Sequence, residues 1–192
     1  MNKFIPPDAE LVPDDAKRVF KGEIYDVYQW PQQMYDGTMA TFEMVKRTDS
    51  VVIIAVVDNE LVLLTESQPH KSEYQTLPCG RVEPDEHPDI AAKRELLEET
   101  GMEFVNWKLV GVAQVAPKTE QFVYTYVATD LVSQSEQNLD NGEKISVGRI
   151  SFEQYLELIR QDKIRWDNFI LRQYILGNTT LSDILNLPEI TR

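Results

Sequence analysis

The sequence predicts an α/β fold preceded by a small antiparallel β unit. Three observations carry this expectation. Residues 50–57 read SVVIIAVV, a continuous Val- and Ile-rich run of the kind that forms a strand buried on both faces. Residues 88–100 hold no Gly, and no Pro beyond the first position, which marks a helix closed by Gly101. Aromatic and branched residues on either side of Tyr35-Asp36-Gly37-Thr38 mark a hairpin ahead of both.

In chain order, residues 1–16 are rich in Pro and Asp and read as an extended, loosely held arm. Residues 18–30 predict a strand and 38–46 its partner, making a hairpin of two or three strands. After the buried run, Asp58-Asn59-Glu60 predicts a turn and 61–65 the return strand. Residues 68–74 are polar and read as irregular, and Leu77-Pro78-Cys79-Gly80 leads towards the helix. In that helix Pro88 suits the first turn, and Asp85, Glu86 and Asp89 lie near the positive end of the dipole. Ile90, Ala91, Ala92 and Leu97, with Leu96 beside them, are its expected apolar side. Strands follow at 108–115 and 121–129, then a polar loop over 131–141 and a short strand over 144–150. The C-terminal region reads as helical. Ser151 and Gln154 form a capping box ahead of Tyr155, Leu156, Leu158 and Ile159. A second helix is expected over 167–176 and a short third one around 181–185.

Length and composition bound the function. A chain of 192 residues, 42% hydrophobic and 27% charged, suffices for one substantial core. The apolar run at 51–57 is too short to span a bilayer, and MNKFIPPDAE contains no secretory apolar region. The single cysteine cannot form an internal disulfide, and a cytoplasmic protein is expected. The formal charge of −13 argues against non-specific nucleic-acid and membrane binding, both of which need a basic surface.

The chemistry is concentrated in GRVEPDEHPDIAAKRELLEETGM. On a helix Glu95 lies three residues from Glu98 and four from Glu99, so three carboxylates crowd one face and repel one another unless a cation neutralises them. A bare acidic cluster of this kind usually belongs to a solvated face. The surrounding frame changes that reading. Gly80, Glu86, Arg94, Glu95, Leu96, Glu98, Glu99, Gly101 and Met102 fit G-x5-E-x7-R-E-U-x-E-E-x-G-U, where U is bulky and apolar. Its seven specified residue types coincide by chance at roughly 10⁻⁸ per start position. This is a complete Nudix box, and the chain resembles Nudix hydrolases.

The resemblance implies an α/β/α sandwich with a mixed sheet, matched in outline over residues 48–162. Residues 1–47 would be an N-terminal β subdomain and 48–192 the hydrolase domain with its C-terminal helices. It also implies hydrolysis of a diphosphate with magnesium as cofactor and manganese as an alternative; magnesium favours oxygen ligands shared with substrate phosphates. Glu95 and Glu99 are the implied direct ligands, Glu98 a direct or water-mediated one, and Cys79 a ligand through its carbonyl. Glu86 and Arg94 would orient the glutamates. A general base outside the box is implied, with Glu120 in APKTEQF as the first candidate and Glu143 as the second.

A polyanionic substrate also needs basic side chains in an acidic protein, and Lys46, Arg47, Arg81 and Lys118 are candidates, Lys46 and Arg81 foremost. Trp30 could stack on a base or pack within the hairpin. The N-terminal β unit and Pro117, fifteen positions past the box, resemble the ADP-ribose pyrophosphatase branch, whose members dimerise through that unit. A nucleoside diphosphate linked to a sugar is therefore the expected substrate and a homodimer the expected assembly. The branch's Q-x-R and E-x-P-A-G segments are altered here to Gln68-Pro69-His70 and Thr76-Leu77-Pro78-Cys79-Gly80, which leaves other nucleotide sugars and nucleoside triphosphates open.

Overall fold

The structure, a computed structural model, describes residues 3–164 and 179–191. Within them lie strands β1 (Lys17–Lys21), β2 (Asp26–Gln33), β3 (Met39–Lys46), β4 (Ser50–Val57), β5 (Glu60–Gln68), β6 (Lys71–Thr76) and β7 (Cys79–Arg81). Helix α1 (Pro88–Thr100) follows, then β8 (Met102–Ala116), β9 (Thr119–Gln134) and β10 (Lys144–Ile150). Helices α2 (Phe152–Arg160) and α3 (Leu181–Leu185) complete the described chain. The helix expected at 167–176 falls outside the described residues.

The strands order as β1-β2-β3-β9-β4-β5-β10, with β6 on β5, β7 on β4 and β8 on β9. β9 runs parallel to β3 and β4, and the other pairs are antiparallel, so the sheet is mixed. β4 explains why two helical layers form. Val51, Ile53, Ala55 and Val57 face Ala91, Ala92 and Leu96 of α1, while Val52, Ile54 and Val56 face Phe152, Tyr155 and Leu156 of α2 and Ile184 of α3. A strand buried on both faces reads as an unbroken apolar run, and the alternation assigns each side chain to one layer. The expected α/β/α sandwich is present.

Several local expectations differ from the structure. The region 18–30 is two strands, broken where the Gly22 N–H bonds the Tyr25 carbonyl at 3.0 Å, so the N-terminal unit is three-stranded. The polar stretch at 68–74 contains most of β6, which pairs with β5 across an irregularity between Glu66 and Gln68. β8 and β9 exceed their expected lengths because they pair with each other from Met102 and Gln134 to Ala116 and Thr119, and that ladder overrides the polar composition near Gln134. On α1, Ala91, Ala92 and Leu96 are buried, but Ile90 and Leu97 are exposed. The small alanines turn to the sheet, where they permit close approach.

The N-terminal arm is also tied down rather than loose. The Tyr124 hydroxyl donates to the Phe4 carbonyl at 2.8 Å, and Ala9 packs against the core. Glu10 exchanges two hydrogen bonds with the Gln114 amide, at 2.9 and 2.8 Å. Among the described residues no helix is long and apolar enough to cross a membrane.

Candidate active site

Two short pieces of backbone set the site. β7 pairs with β4, placing Gly80 opposite Val51 and Cys79 opposite Val52. The chain then turns through Asp85, at φ 64°, and enters α1 with Pro88 in its first turn. At the far end Gly101 adopts the left-handed conformation, φ 70°, and its N–H returns to the Leu97 carbonyl at 2.8 Å. α1 is thus pinned at both ends against β7 and β8.

Arg94 organises the outer half of the site. Its Nε and Nη2 donate to the two oxygens of Glu86, both at 2.9 Å, a bidentate fork. Nη1 donates to Glu95 Oε1 at 2.8 Å and to Glu98 Oε2 at 3.0 Å, and Nη2 also reaches the Arg81 carbonyl at 2.9 Å. One guanidinium therefore serves three carboxylates and the end of β7. The pKa of Glu86 is lowered, chiefly by its hydrogen bond from Arg94. That of Glu95 is pushed up to about 7, because burial outweighs its share of Arg94.

The inner half contains Glu99, only 5% exposed. Its Oε2 accepts the Cys79 N–H at 3.0 Å. Burial first, and the charge of Glu95 second, hold its pKa well above the ordinary carboxyl value. Gly80 is required beside it: a Cβ there would overlap the Glu95 carboxylate, so glycine lets α1 and β7 close around the acids. Two acids from outside the box act on the same centre. Glu66 on β5 raises the proton affinity of Glu99 and of Glu143, and Glu143, just before β10, raises that of Glu95 and Glu99. The segment carrying Glu143 is docked on the end of α1. The Asn138 N–H donates to the Glu98 carbonyl at 2.9 Å, and the Gln137 amide donates to the Glu99 carbonyl.

The donor set fits a divalent cation in chemistry. Hard carboxylate oxygens converge where burial disfavours their charge, and their main positive partner, Arg94, is shared among three acids. Among the described residues no group of three or more His, Cys, Asp or Glu is placed to hold a metal ion, and Arg94 bonds both Glu95 and Glu98. Glu95 and Glu99 would hold the ion, with Glu98 at its more open edge. The contact recorded between Cys79 and Glu99 is made by the Cys79 N–H.

The remaining sequence candidates are placed as follows. Glu120 is paired with Lys46 across the β3–β9 contact and accepts the Val12 N–H at 2.7 Å. Arg81 is exposed at the end of β7. Trp30 packs on Phe42 with ring centroids 5.4 Å apart, and its indole N–H donates to Gln32. Arg47 and Lys118 lie over the rings of Tyr25 and Phe42 within the N-terminal unit. Sequence reasoning missed Glu66 and Gln137. An acid inside the apolar strand ELVLLTESQ was the available signal for the first; the second is visible only once the loop is seen against α1.

Comparison with known proteins bears on the family and the fold. A family model described as NUDIX domain matches residues 46–170. The ADP-ribose pyrophosphatase of Bacillus subtilis (strain 168) is 25% identical over 152 residues, covering 77% of this chain and 82% of that protein. The methanol dehydrogenase activator of Bacillus methanolicus is 24% identical over 154 residues, covering 78% and 83%. A crystal structure of an ADP compounds hydrolase superimposes with a TM-score of 0.66 at 19% identity, covering 88% of this chain and 95% of that one, a likeness of fold.

Proposed function

Because the chain belongs to the NUDIX domain family and is a Nudix pyrophosphohydrolase, we propose that it hydrolyses the diphosphate of a nucleoside diphosphate linked to a sugar. The leading case is ADP-ribose going to AMP and ribose 5-phosphate. The observation that carries this reading is the pair of carboxylates, part-buried Glu95 and buried Glu99, closed against Gly80 and Cys79 with too little positive charge of their own. The similarity to an ADP-ribose pyrophosphatase supports the substrate class.

In this reading Glu95 and Glu99 hold magnesium, with manganese able to substitute, and Glu98 completes the shell directly or through water. A divalent ion held by these residues would supply polarisation of the phosphoryl oxygens and a lower pKa for the attacking water. Arg94 keeps Glu95 and Glu98 oriented, and Glu86 keeps Arg94 in place. Glu143 takes the proton of the attacking water. It sits in the field of Glu98 and Glu66, and burial raises its proton affinity. Glu120, the first candidate on sequence, is occupied by Lys46 and Val12 and belongs to the scaffold. Arg81, which follows Gly80, takes a substrate phosphate. Lys46 and Trp30 belong to the packing of the N-terminal unit.

Residues 1–47 serve as a dimerisation unit and 48–192 as the hydrolase domain. Val19, Phe20, Ile24, Tyr25 and Met39 in or beside β1–β3 are exposed, an apolar surface that a second copy of the chain would cover. Light scattering at micromolar concentration should return twice the chain mass.

A substrate panel tests the function. Incubation with magnesium and ADP-ribose, other nucleotide sugars or nucleoside triphosphates, followed by detection of released phosphomonoesters, should give AMP and ribose 5-phosphate fastest. Faster release of diphosphate from a nucleoside triphosphate would reverse the substrate assignment. Binding without any product would move the chain to a nucleotide-sensing role.

A further inference from the structure

Glu66 is a buried acid that the box motif leaves unexplained. β5 is apolar over Leu61, Val62, Leu63 and Leu64, yet two residues later Glu66 is only 4% exposed. Burying a carboxylate costs several kcal/mol unless positive charge compensates. The Gln68 amide donates to Glu66 Oε1 at 2.6 Å, which supplies a dipole and no countercharge.

Its place in the sheet points to what does compensate. Glu66 stands opposite Ile145 of β10, and Glu143 lies two residues before Ile145, just outside the strand. Val62, four residues before Glu66 and on the same face of β5, packs in the layer with Ala91, Ala92 and Leu96 of α1, so Glu66 faces the layer to which α1 contributes the buried Glu99. Glu66 thus faces the α1 layer and sits beside the approach to β10. α1, β5 and the approach to β10 each bring an acid to this side of the sheet, and buried like charges are costly unless a cation joins them.

We propose that Glu66 is a carboxylate of the divalent-cation centre, reaching it from β5. This rests on the reading of Glu95 and Glu99 as cation ligands and adds a residue from outside the box. It implies that cation binding also fixes β5, β10 and α1 relative to one another.

Manganese titration by calorimetry, with no substrate present, tests the assignment on wild type, Glu66→Gln and Glu66→Asp. Gln keeps the shape and can still accept from Gln68, while Asp keeps the charge. Glu66→Gln should weaken manganese binding about tenfold, the size seen when a supporting carboxylate of a metal site is lost. Its cation-free melting temperature should rise, since one buried charge is gone. Glu66→Asp should recover most of the affinity. Equal affinity in wild type and Glu66→Gln would overturn the assignment while leaving Glu95 and Glu99 in place. A fall in cation-free melting temperature with manganese affinity unchanged would mark Glu66 as a structural partner of Gln68 and overturn it equally. Wild type that binds no manganese would remove the cation centre itself, and this proposal with it.

Discussion

Asp49 and Glu99 are both nearly buried, at 8% and 5% exposure, and their surroundings are opposite. Asp49 accepts the Phe122 N–H at 2.9 Å and pairs with Lys3 of the N-terminal arm. Glu120, 13% exposed, is likewise matched by Lys46 and the Val12 N–H. Each of these acids has a cation and a backbone donor, and each fastens one segment to another. Glu99 has one backbone donor, from Cys79, and its strongest electrostatic neighbours are acids: Glu95, Glu66 and Glu143. A protein that neutralises its acids in one region and crowds them in another keeps the second region for a ligand that brings positive charge. Burial alone would not separate the two sets; the partner list does.

The sharpest way to break this comparison is to neutralise Glu99. Glu99→Gln should lower turnover by at least about 100-fold, since loss of a supporting group around a metal already costs 10–100-fold. The same variant should melt higher than wild type without cation, because Gln still accepts from Cys79 and no longer carries a buried charge. A variant that is both inactive and less stable would make Glu99 a structural acid of the Asp49 kind.

Arg94 comes next. Arg94→Ala leaves the Glu86 carboxylate, 12% exposed, without its fork and frees Glu95 and Glu98 to repel each other. A fully buried pair broken on one side loses about 3–5 kcal/mol, and the 28% exposure of Arg94 brings the expectation to about 2 kcal/mol. Denaturant unfolding measures it. Magnesium should restore part of the loss in this variant by taking over the charge on Glu95.

The two sets also differ in their response to pH. Glu95 moves from an ordinary value of 4.5 to about 7 in the fold, and Glu99 and Glu143 move in the same direction. Between pH 4.5 and 7 the unfolded chain gives up the Glu95 proton while the folded chain keeps it, so rising pH favours unfolding. Cation-free protein should therefore gain stability as pH falls from 7 towards 4.5. Saturating magnesium should flatten that slope, because a bound cation lowers these pKa values. A cation-free slope of the opposite sign would show that the crowded acids are already compensated.

The sequence made the box helix legible almost to the residue, because Pro88, Gly101 and the glutamate spacing are local signals. Ser151 and Gln154 form the expected capping box for the same reason. What stayed hidden depends on contacts between distant segments. Ile90 and Leu97 looked like core residues on α1, yet Ala91, Ala92 and Leu96 face the sheet, a choice made by β4 and its neighbours. The arm at 3–16 looked loose because its anchors, Gln114, Tyr124, Asp49 and Glu120, lie far along the chain. Glu66 lay just past the expected strand at 61–65 and carried no signal until β10 paired beside it. Glu120 ranked ahead of Glu143 on its place in APKTEQF just before a strand, and the proposed reversal rests on partners that no local signal shows.

Glu120 offers the smallest expected effect and a direct test of that ranking. Glu120→Gln removes an ion pair with Lys46, whose side chain is 48% exposed, and retains an acceptor for the Val12 N–H. An exposed pair of this kind contributes about 0–1 kcal/mol, so stability should fall by no more than that. Turnover should stay within about twofold of wild type, a margin that packing changes in the arm can account for. Glu143→Gln, measured beside it, should lose at least about 100-fold, because a general base contributes 10²–10⁴ in rate. If the two results were exchanged, the partner list would have misranked the acids. The Lys46 contact would then have to open during turnover to release Glu120 as the base, and the segment between Gln134 and β10 would serve only to hold the end of α1.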